Sequence, residues 1–372
     1  MTDVRHDAMA VVERILQILD EGSTTATYKF AVLLALLDLC VESTASDGQP
    51  PDAVTTRELA SKVIELYWRQ ARPWTGDGPP LLRQNSSKGL EIVARVQQFR
   101  SEVEPAGGVS VPAVRARQLD PAGWRRLVDD IEWKLIEMPL PKLQRVRGQD
   151  AASLYRINWN DSDQAPTERH VRAYQRNQVS PFDNQVRLMP GVGLALVRLH
   201  ALLRPFIQQQ WAAKVASLNK LEASRLPSFL FGSERASLEP VRAGLVDLQG
   251  GACFYCGGSL RTGEVHVDHF LPWARYPDDG LGNLVAADKK CNEHKRDHLT
   301  DHDLLVRWRH RLKEAQPLLE EVARAADWDV GSRRVLGAAR ALYLPLPDDT
   351  RLWASRQRWV TVDPAQVRVA LA

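Results

Sequence analysis

Three of the chain's four cysteines, Cys253, Cys256 and Cys291, fall within 39 residues, and six of its nine histidines lie between positions 266 and 310. Cys253 and Cys256 form a C-x-x-C ahead of two glycines, a knuckle in which a tight turn aims two thiolates at one tetrahedral ion. A C-x-x-C can also be redox active, but no thioredoxin-like strand and helix surround this one, and zinc is favoured. A closed structural site needs four ligands. Cys291 is the third. The fourth stays open between Asp288, three residues before Cys291, and His294, three residues after it. Cys40 stands apart in an apolar helical run and reads as a small buried hydrophobe.

Between the halves of this knuckle lies the segment EVHVDHF, residues 264–270. Its alternation suits a strand, and Pro272 implies that the strand ends there. Adjacent Asp268 and His269 point to opposite faces of a strand unless the backbone turns at its end. A glycine-containing loop with Asn283 near its end then leads to a short helix expected over 292–299. The order is β-hairpin, loop, helix, with the metal knuckle fastening the ends.

The segment resembles the HNH family of ββα-metal (His-Me finger) nucleases, in its zinc-bearing subgroup. That pattern is a C-x-x-C, a V-D-H followed by an apolar residue and proline, an N-L-V, and a C-N-x-x-K. The chain matches at Cys253 and Cys256, at Val267, Asp268, His269 and Pro272, at Asn283, Leu284 and Val285, and at Cys291, Asn292 and Lys295. The Asn283-to-Asn292 spacing is also similar to the HNH domain of RNA-guided CRISPR effector nucleases. Many relatives carry cysteine where Asp288 stands; some have His or Asp. The resemblance therefore implies Cys253, Cys256, Asp288 and Cys291 as ligands of a structural Zn²⁺, with His294 in reserve, and a weaker site than an all-cysteine one.

It also implies roles in phosphodiester hydrolysis. His269 is the general base, and Asp268 and Asn292 hold one catalytic Mg²⁺ (or Mn²⁺), a hard ion suited to oxygen ligands. Asn283 braces the loop and orients the His269 ring. Lys295, one helical turn after Asn292, contacts a phosphate, and Lys289, Lys290 and Arg296 are further nucleic-acid contacts. Each has a plainer alternative. His269 taken alone reads as a structural histidine or a zinc ligand, and the lysines and Arg296 as surface charge. His266 shares a strand face with Asp268 and either assists the metal or faces solvent. His294, His298 and His302 recur every four residues, as on one helix face.

The elements that must position this site are mostly helical. The chain's 372 residues imply two or three domains. Its 44% hydrophobic and 26% charged content is that of a folded globular protein and excludes a disordered one. A net charge of +3 gives no basic coat, so a polyanion must be met by local clustering. Residues 289–313 hold eight Lys/Arg against four acids, though a solvated helix face explains such a run equally well. The longest apolar run, Phe30 to Leu37, falls far short of the ~18 residues of a membrane span. The opening MTDVRHDAMA has no secretory pattern, and a cytoplasmic protein is expected.

Helical spacing is present over 8–20 and 27–41, and Thr55 with Glu58 forms a capping-box pattern opening a third helix. Residues 71–84 read as a linker. Helices follow around 87–104 and 121–137, then a strand-like stretch at Leu154–Trp159 and a helix over 191–217 that Pro205 should kink or split. Beyond 305, Trp308, Leu312, Leu318 and Val322 are spaced for packing.

The expected fold class is a mainly α multidomain protein with an embedded small α+β (ββα-metal) HNH domain. Its segments are 1–76, a helical module open to a winged-helix or helix-turn-helix arrangement or a plain bundle; 77–238, a helical domain with a short strand segment; 239–305, the nuclease domain with its knuckle; and 306–372, a C-terminal helical region. The functional expectation is a metal-dependent endonuclease acting on DNA, with restriction or anti-phage defence suggested by family analogy alone. A non-catalytic, zinc-stapled nucleic-acid-binding protein and an RNA-directed nuclease stay open, as does homo-oligomerisation.

Overall fold

A helix that is apolar all round must be buried all round, and the run beginning at Phe30 behaves so. In the computed structural model every residue from 28 to 41 is buried. The structure describes all residues except 1–3, 22–25, 77, 87–91, 105–110, 147–148, 151, 160–164, 232–236 and 261–263. The chain divides into two compact units, one of residues 1–40 and 50–232, the other of 41–49 and 233–372. This division is coarser than the four expected segments.

The first unit contains α1 (Val4–Glu21), most of α2 (Tyr28–Glu42), β1 (Ala53–Thr55), α3 (Thr56–Trp68), α4 (Ile92–Val103), α5 (Ala113–Leu119), α6 (Pro121–Glu137), β2 (Arg145–Val146), β3 (Gln149–Asp150), β4 (Tyr155–Arg156), α7 (Glu168–Gln175), β5 (Gln185–Leu188), α8 (Val192–Asn219) and α9 (Leu226–Phe231). β1, β5 and β4 form a small antiparallel sheet with β5 in the middle, and β2 pairs with β3. The capping box forms as expected: the Thr55 side chain accepts from the Glu58 amide and Glu58 reaches back to the Thr55 amide. The start of the helix expected at 87 lies outside the described residues.

Two expectations are narrowed here. Pro205 does not split α8, which the structure runs unbroken over 28 residues from its Gly191 cap at φ 80°. The segment read as a linker has no helix or strand among its described residues and is mostly exposed or half-buried, but Ala71, Leu82 and Gln84 anchor its ends in the core. Gln84 is fully buried, and its carboxamide oxygen accepts from Thr27 at 2.8 Å and from the Trp211 indole at 2.9 Å. Trp211 also packs edge-on to Tyr67 at 5.1 Å, so this polar strap closes an aromatic core.

The second unit contains α10 (Glu239–Leu248), β6 (Val265–His269), β7 (Leu284–Asp288), α11 (Lys289–Lys295), α12 (His302–Glu314), α13 (Gln316–Ala326), α14 (Ser332–Tyr343), β8 (Arg351–Ser355), β9 (Arg358–Thr361) and α15 (Pro364–Leu371). The expected helix at 292–299 begins earlier and ends at Lys295, so His294, His298 and His302 do not share one helix face. His298 instead packs edge-on to Trp359 at 4.6 Å. The C-terminal region is not purely helical. β8 and β9 form an antiparallel hairpin, and Trp353 of β8 donates to the Leu299 carbonyl at 2.8 Å. With fifteen α-helices and only two- or three-stranded sheets among the described residues, the fold is mainly α with a small α+β region.

In α13 the helical phase differs by one residue from expectation. Leu319 is fully buried, while Leu318 is 51% exposed. Leu319→Ala should therefore destabilise the second unit by about 2–5 kcal/mol, and Leu318→Ala by less than about 0.5 kcal/mol. Urea denaturation of the two variants checks this; equal losses would contradict the assigned phase.

Candidate active site and metal centre

β6 and β7 are antiparallel, with Val265 opposite Asp288 and His269 opposite Leu284. Residues 284–287 of β7 are all fully buried, so both faces of this strand are covered and it reads as a continuous apolar run. β7 leads directly into α11. Asp288 is the N-cap, at φ −70° and ψ 151°, and its carboxylate accepts from the Cys291 amide at 3.0 Å.

That capping carboxylate also faces the knuckle. The Cys256 thiol lies 3.1 Å from Asp288 Oδ2, and the ligand atoms of Cys253, Cys256, Asp288 and Cys291 all lie within 4.8 Å of one another. The turn is tight: Gly257 at φ 71° donates to the Cys253 carbonyl, and the Cys253 amide donates to the Gly258 carbonyl. Backbone amides of Gly258 and Asp288 point at the sulfurs of Cys256 and Cys253, at 3.4 and 3.3 Å. A hydrogen bond from Cys291 draws the Cys253 thiol down to about 6, favouring its thiolate. Three sulfurs and one oxygen at this spacing suit one tetrahedral ion with bonds of about 2.0–2.3 Å, and the donor set suggests structural zinc. His294 is exposed on α11 and is not part of this cluster.

The sequence reading missed one neighbour. Arg356, in the β8–β9 turn, donates to Asp288 Oδ1 at 2.9 Å. Three thiolates and a carboxylate around a divalent cation leave net negative charge, which a guanidinium partly offsets. Nothing in the sequence near the knuckle signals it, because it stands 65 residues beyond Cys291.

Asp268 is 9% exposed, and its Oδ2 receives the Tyr255 hydroxyl at 2.6 Å and the Lys295 ammonium at 3.0 Å. Burial, and then the Asp268 charge, pushes the Tyr255 hydroxyl well up. Lys295 corrects an expectation. It was assigned to a phosphate, but it is fully buried and donates to the His269 carbonyl at 2.7 Å, and burial lowers its pKa against the pull of Asp268. The C-N-x-x-K spacing carries this lysine one turn along α11, back onto β6, and not outward.

The His269 side chain is 9% exposed; its Nε2 lies 2.8 Å from Asp279 Oδ1, and Trp273 packs against it at 5.1 Å. Asn283 is fully buried. Its Oδ1 accepts from the Leu271 amide, and its Nδ2 donates to the carbonyls of Leu271 and Asp278. These bonds brace the loop, while the ring itself is held by Asp279, which sequence reasoning passed over. The Asn292 amide lies 3.0 Å from His266 Nδ1, and His266 Nε2 lies 3.3 Å from Glu264. Asp268, His269 and Asn292 thus each have their own partners, and no hydrogen bond joins the three among the described residues. Lys289 pairs with Glu264 at 2.9 Å, whereas Lys290 and Arg296 are exposed.

The C-terminal helices fix the loop over 270–283. Arg311 is 7% exposed and donates to the carbonyls of Leu281, Gly282 and Leu284. The Trp308 indole donates to the Gly282 carbonyl at 2.8 Å while its ring stacks on Phe270 at 4.7 Å. Trp328 donates to the Asp279 carbonyl at 2.6 Å.

Zinc content separates the candidate fourth ligands. Asp288→Ala should weaken zinc binding by more than about 100-fold and His294→Ala should leave it unchanged; Arg356→Ala should cost about 10-fold, as for an outer-shell partner. Competitive titration against a chromophoric chelator measures all three, and retention of tight zinc by Asp288→Ala would reject the assignment.

With this geometry in place, comparison with known families is informative. A family model described as HNH endonuclease matches residues 253–300, the segment of nuclease type that contains the knuckle, β6, β7 and α11. Another, described as a domain of unknown function (DUF8808), matches residues 8–228. No curated protein and no solved structure matches the chain. Since the second match spans more than half of its length, the chain belongs to the DUF8808 domain family, here joined to an HNH endonuclease segment.

Proposed function

We propose that the protein is a metal-dependent endonuclease that hydrolyses phosphodiester bonds in DNA. The observation that carries the reading is a set of uncommitted heteroatoms. Both contacts of Asp268 go to Oδ2, Asn292 uses its Nδ2, and His269 uses Nε2. Asp268 Oδ1, Asn292 Oδ1 and His269 Nδ1 have no hydrogen-bond partner among the described residues. Two oxygens and an imidazole nitrogen are the donor types that an oxygen-preferring cation and a general base require.

In this reading Asp268 and Asn292 hold Mg²⁺ or Mn²⁺, which supplies Lewis-acid charge to the scissile phosphate and the leaving oxygen. His269 takes a proton from the attacking water through Nδ1. Asn283 keeps the loop backbone fixed while this happens. Lys290 and Arg296, exposed on and just after α11, meet backbone phosphates. The exposed residues of this face are not uniformly basic, which fits local contacts to nucleic acid better than sequence-independent coating.

One observation favours a second reading, a non-catalytic, zinc-stapled nucleic-acid-binding protein. The Lys295 ammonium 3.0 Å from Asp268 Oδ2 already neutralises the carboxylate that the ion would need.

Incubation of the zinc-loaded protein with Mg²⁺ or Mn²⁺ and plasmid, single-stranded DNA or RNA distinguishes these. Cleavage of DNA is expected, with a loss of about 10²–10⁴-fold in His269→Ala. Binding without cleavage supports the second reading, cutting of RNA alone redirects the substrate, and cutting that survives His269→Ala removes the mechanism.

A further inference from the structure

We propose that Asp279 is a positioning residue for His269, fixing the tautomer and orientation of the imidazole so that Nδ1 is its basic nitrogen. This rests on the nuclease reading. A carboxylate only accepts hydrogen bonds, and a neutral imidazole carries one N–H and one lone pair. With Asp279 Oδ1 2.8 Å from Nε2, the hydrogen sits on Nε2 and the lone pair on Nδ1.

Asp279 is itself held from behind. Its carbonyl accepts from the Trp328 indole at 2.6 Å, and the following loop amides, Leu281 and Gly282, donate to the carbonyls of Asp329 and Val330 at 2.8 and 2.7 Å. The neighbouring Asp278 is not a rival partner. Its carboxylate is committed to Arg334, which also pairs with Asp329. The other charges near the ring are likewise spent: Lys295 lies on the His269 carbonyl and on Asp268, and Tyr255 on Asp268. Trp273 covers one side of the ring, and the Asp279 side chain retains 26% exposure against 9% for His269. The connection between α13 and α14, which carries Trp328, Asp329 and Val330, thereby sets the angle of the base through one carboxylate.

In hydrolysis the O–H bond of the attacking water breaks and its proton moves to Nδ1. The hydroxide oxygen bonds to phosphorus as the bond to the leaving oxygen breaks, the bonding pair staying on that oxygen, which takes up a proton from solvent. The resulting imidazolium faces the Asp279 carboxylate and keeps its Nε2 proton, so negative charge is already placed where positive charge develops.

The experiment uses the full-length, zinc-loaded protein with Mn²⁺ and the nucleic acid it cuts, comparing wild type, His269→Ala, Asp279→Asn and Asp279→Glu. Asp279→Asn should lower kcat by about 10–100-fold, the range for loss of a residue that orients a functional ligand. KM should stay within about threefold, the split expected when the base is misoriented and substrate binding is untouched. Asp279→Glu should recover part of kcat. An unchanged kcat, or a kcat loss matched by a comparable rise in KM, overturns the proposal. Nitrogen-15 histidine NMR tests it without turnover. The His269 Nδ1 resonance should be that of an unprotonated nitrogen in wild type and shift toward a tautomer mixture in Asp279→Asn; a protonated Nδ1 in wild type overturns the assignment. A wild type that cuts nothing defeats the nuclease reading, while the NMR result still decides the role of Asp279.

Discussion

One buried guanidinium holds the loop that shapes the site. Arg311 donates to three backbone carbonyls between Leu281 and Leu284, with the Phe254 ring 5.9 Å away. Its Nε has no hydrogen-bond partner among the described residues, and no carboxylate there pairs with it. Burying such a charge is costly unless its hydrogens are used, and burial lowers its pKa to about 10. The return is geometric. Carbonyls at the end of a loop, which would otherwise point into a core without donors, are satisfied together from one rigid planar group. The loop's internal brace, Asn283, and its external brace, Arg311, act on overlapping segments, and His269 at the end of β6 inherits a fixed frame.

A second theme is how few groups serve several purposes. Lys295 closes α11 against β6 while neutralising Asp268. Asp288 caps a helix, faces a thiol and accepts from Arg356. Tyr255, inside the C-x-x-C, ties the knuckle to Asp268 at 2.6 Å and packs edge-on to Trp353 at 5.2 Å. The metal knuckle and the Asp268–His269 pair are consequently joined by direct side-chain contact through Tyr255.

What the sequence disclosed was local. The knuckle, Asp268 with His269 at a strand end, Asn283 in its loop and the capping box at Thr55 are carried by short spacings, where residue type and neighbour chemistry suffice. What it withheld was long-range. Arg356, Arg311, Trp328 and Arg334 each act on a segment at least 27 residues away, and no periodicity announces which distant cation will meet which carbonyl. Asp279 stands only ten residues after His269, but an Asp before a glycine in a loop carries no spacing that singles it out from ordinary turn chemistry. Lys295 misled for a different reason: charge suggested solvent, whereas a long aliphatic stem and an acidic partner allowed burial. Leu318 misled through helix phase, since α13 starts at Gln316, after its own break, and not in register with α12.

The double duty of Asp288 ties ion uptake to local folding. The same carboxylate that would grip zinc initiates the seven-residue α11, which is too short to persist on intrinsic propensity. Depriving the chain of zinc would thus loosen the first turn of that helix, and with it the segment carrying Asn292. Under the proposed nuclease reading, zinc supply would then govern how firmly the Asn292 side chain is presented, although the knuckle and that side chain share no ligand.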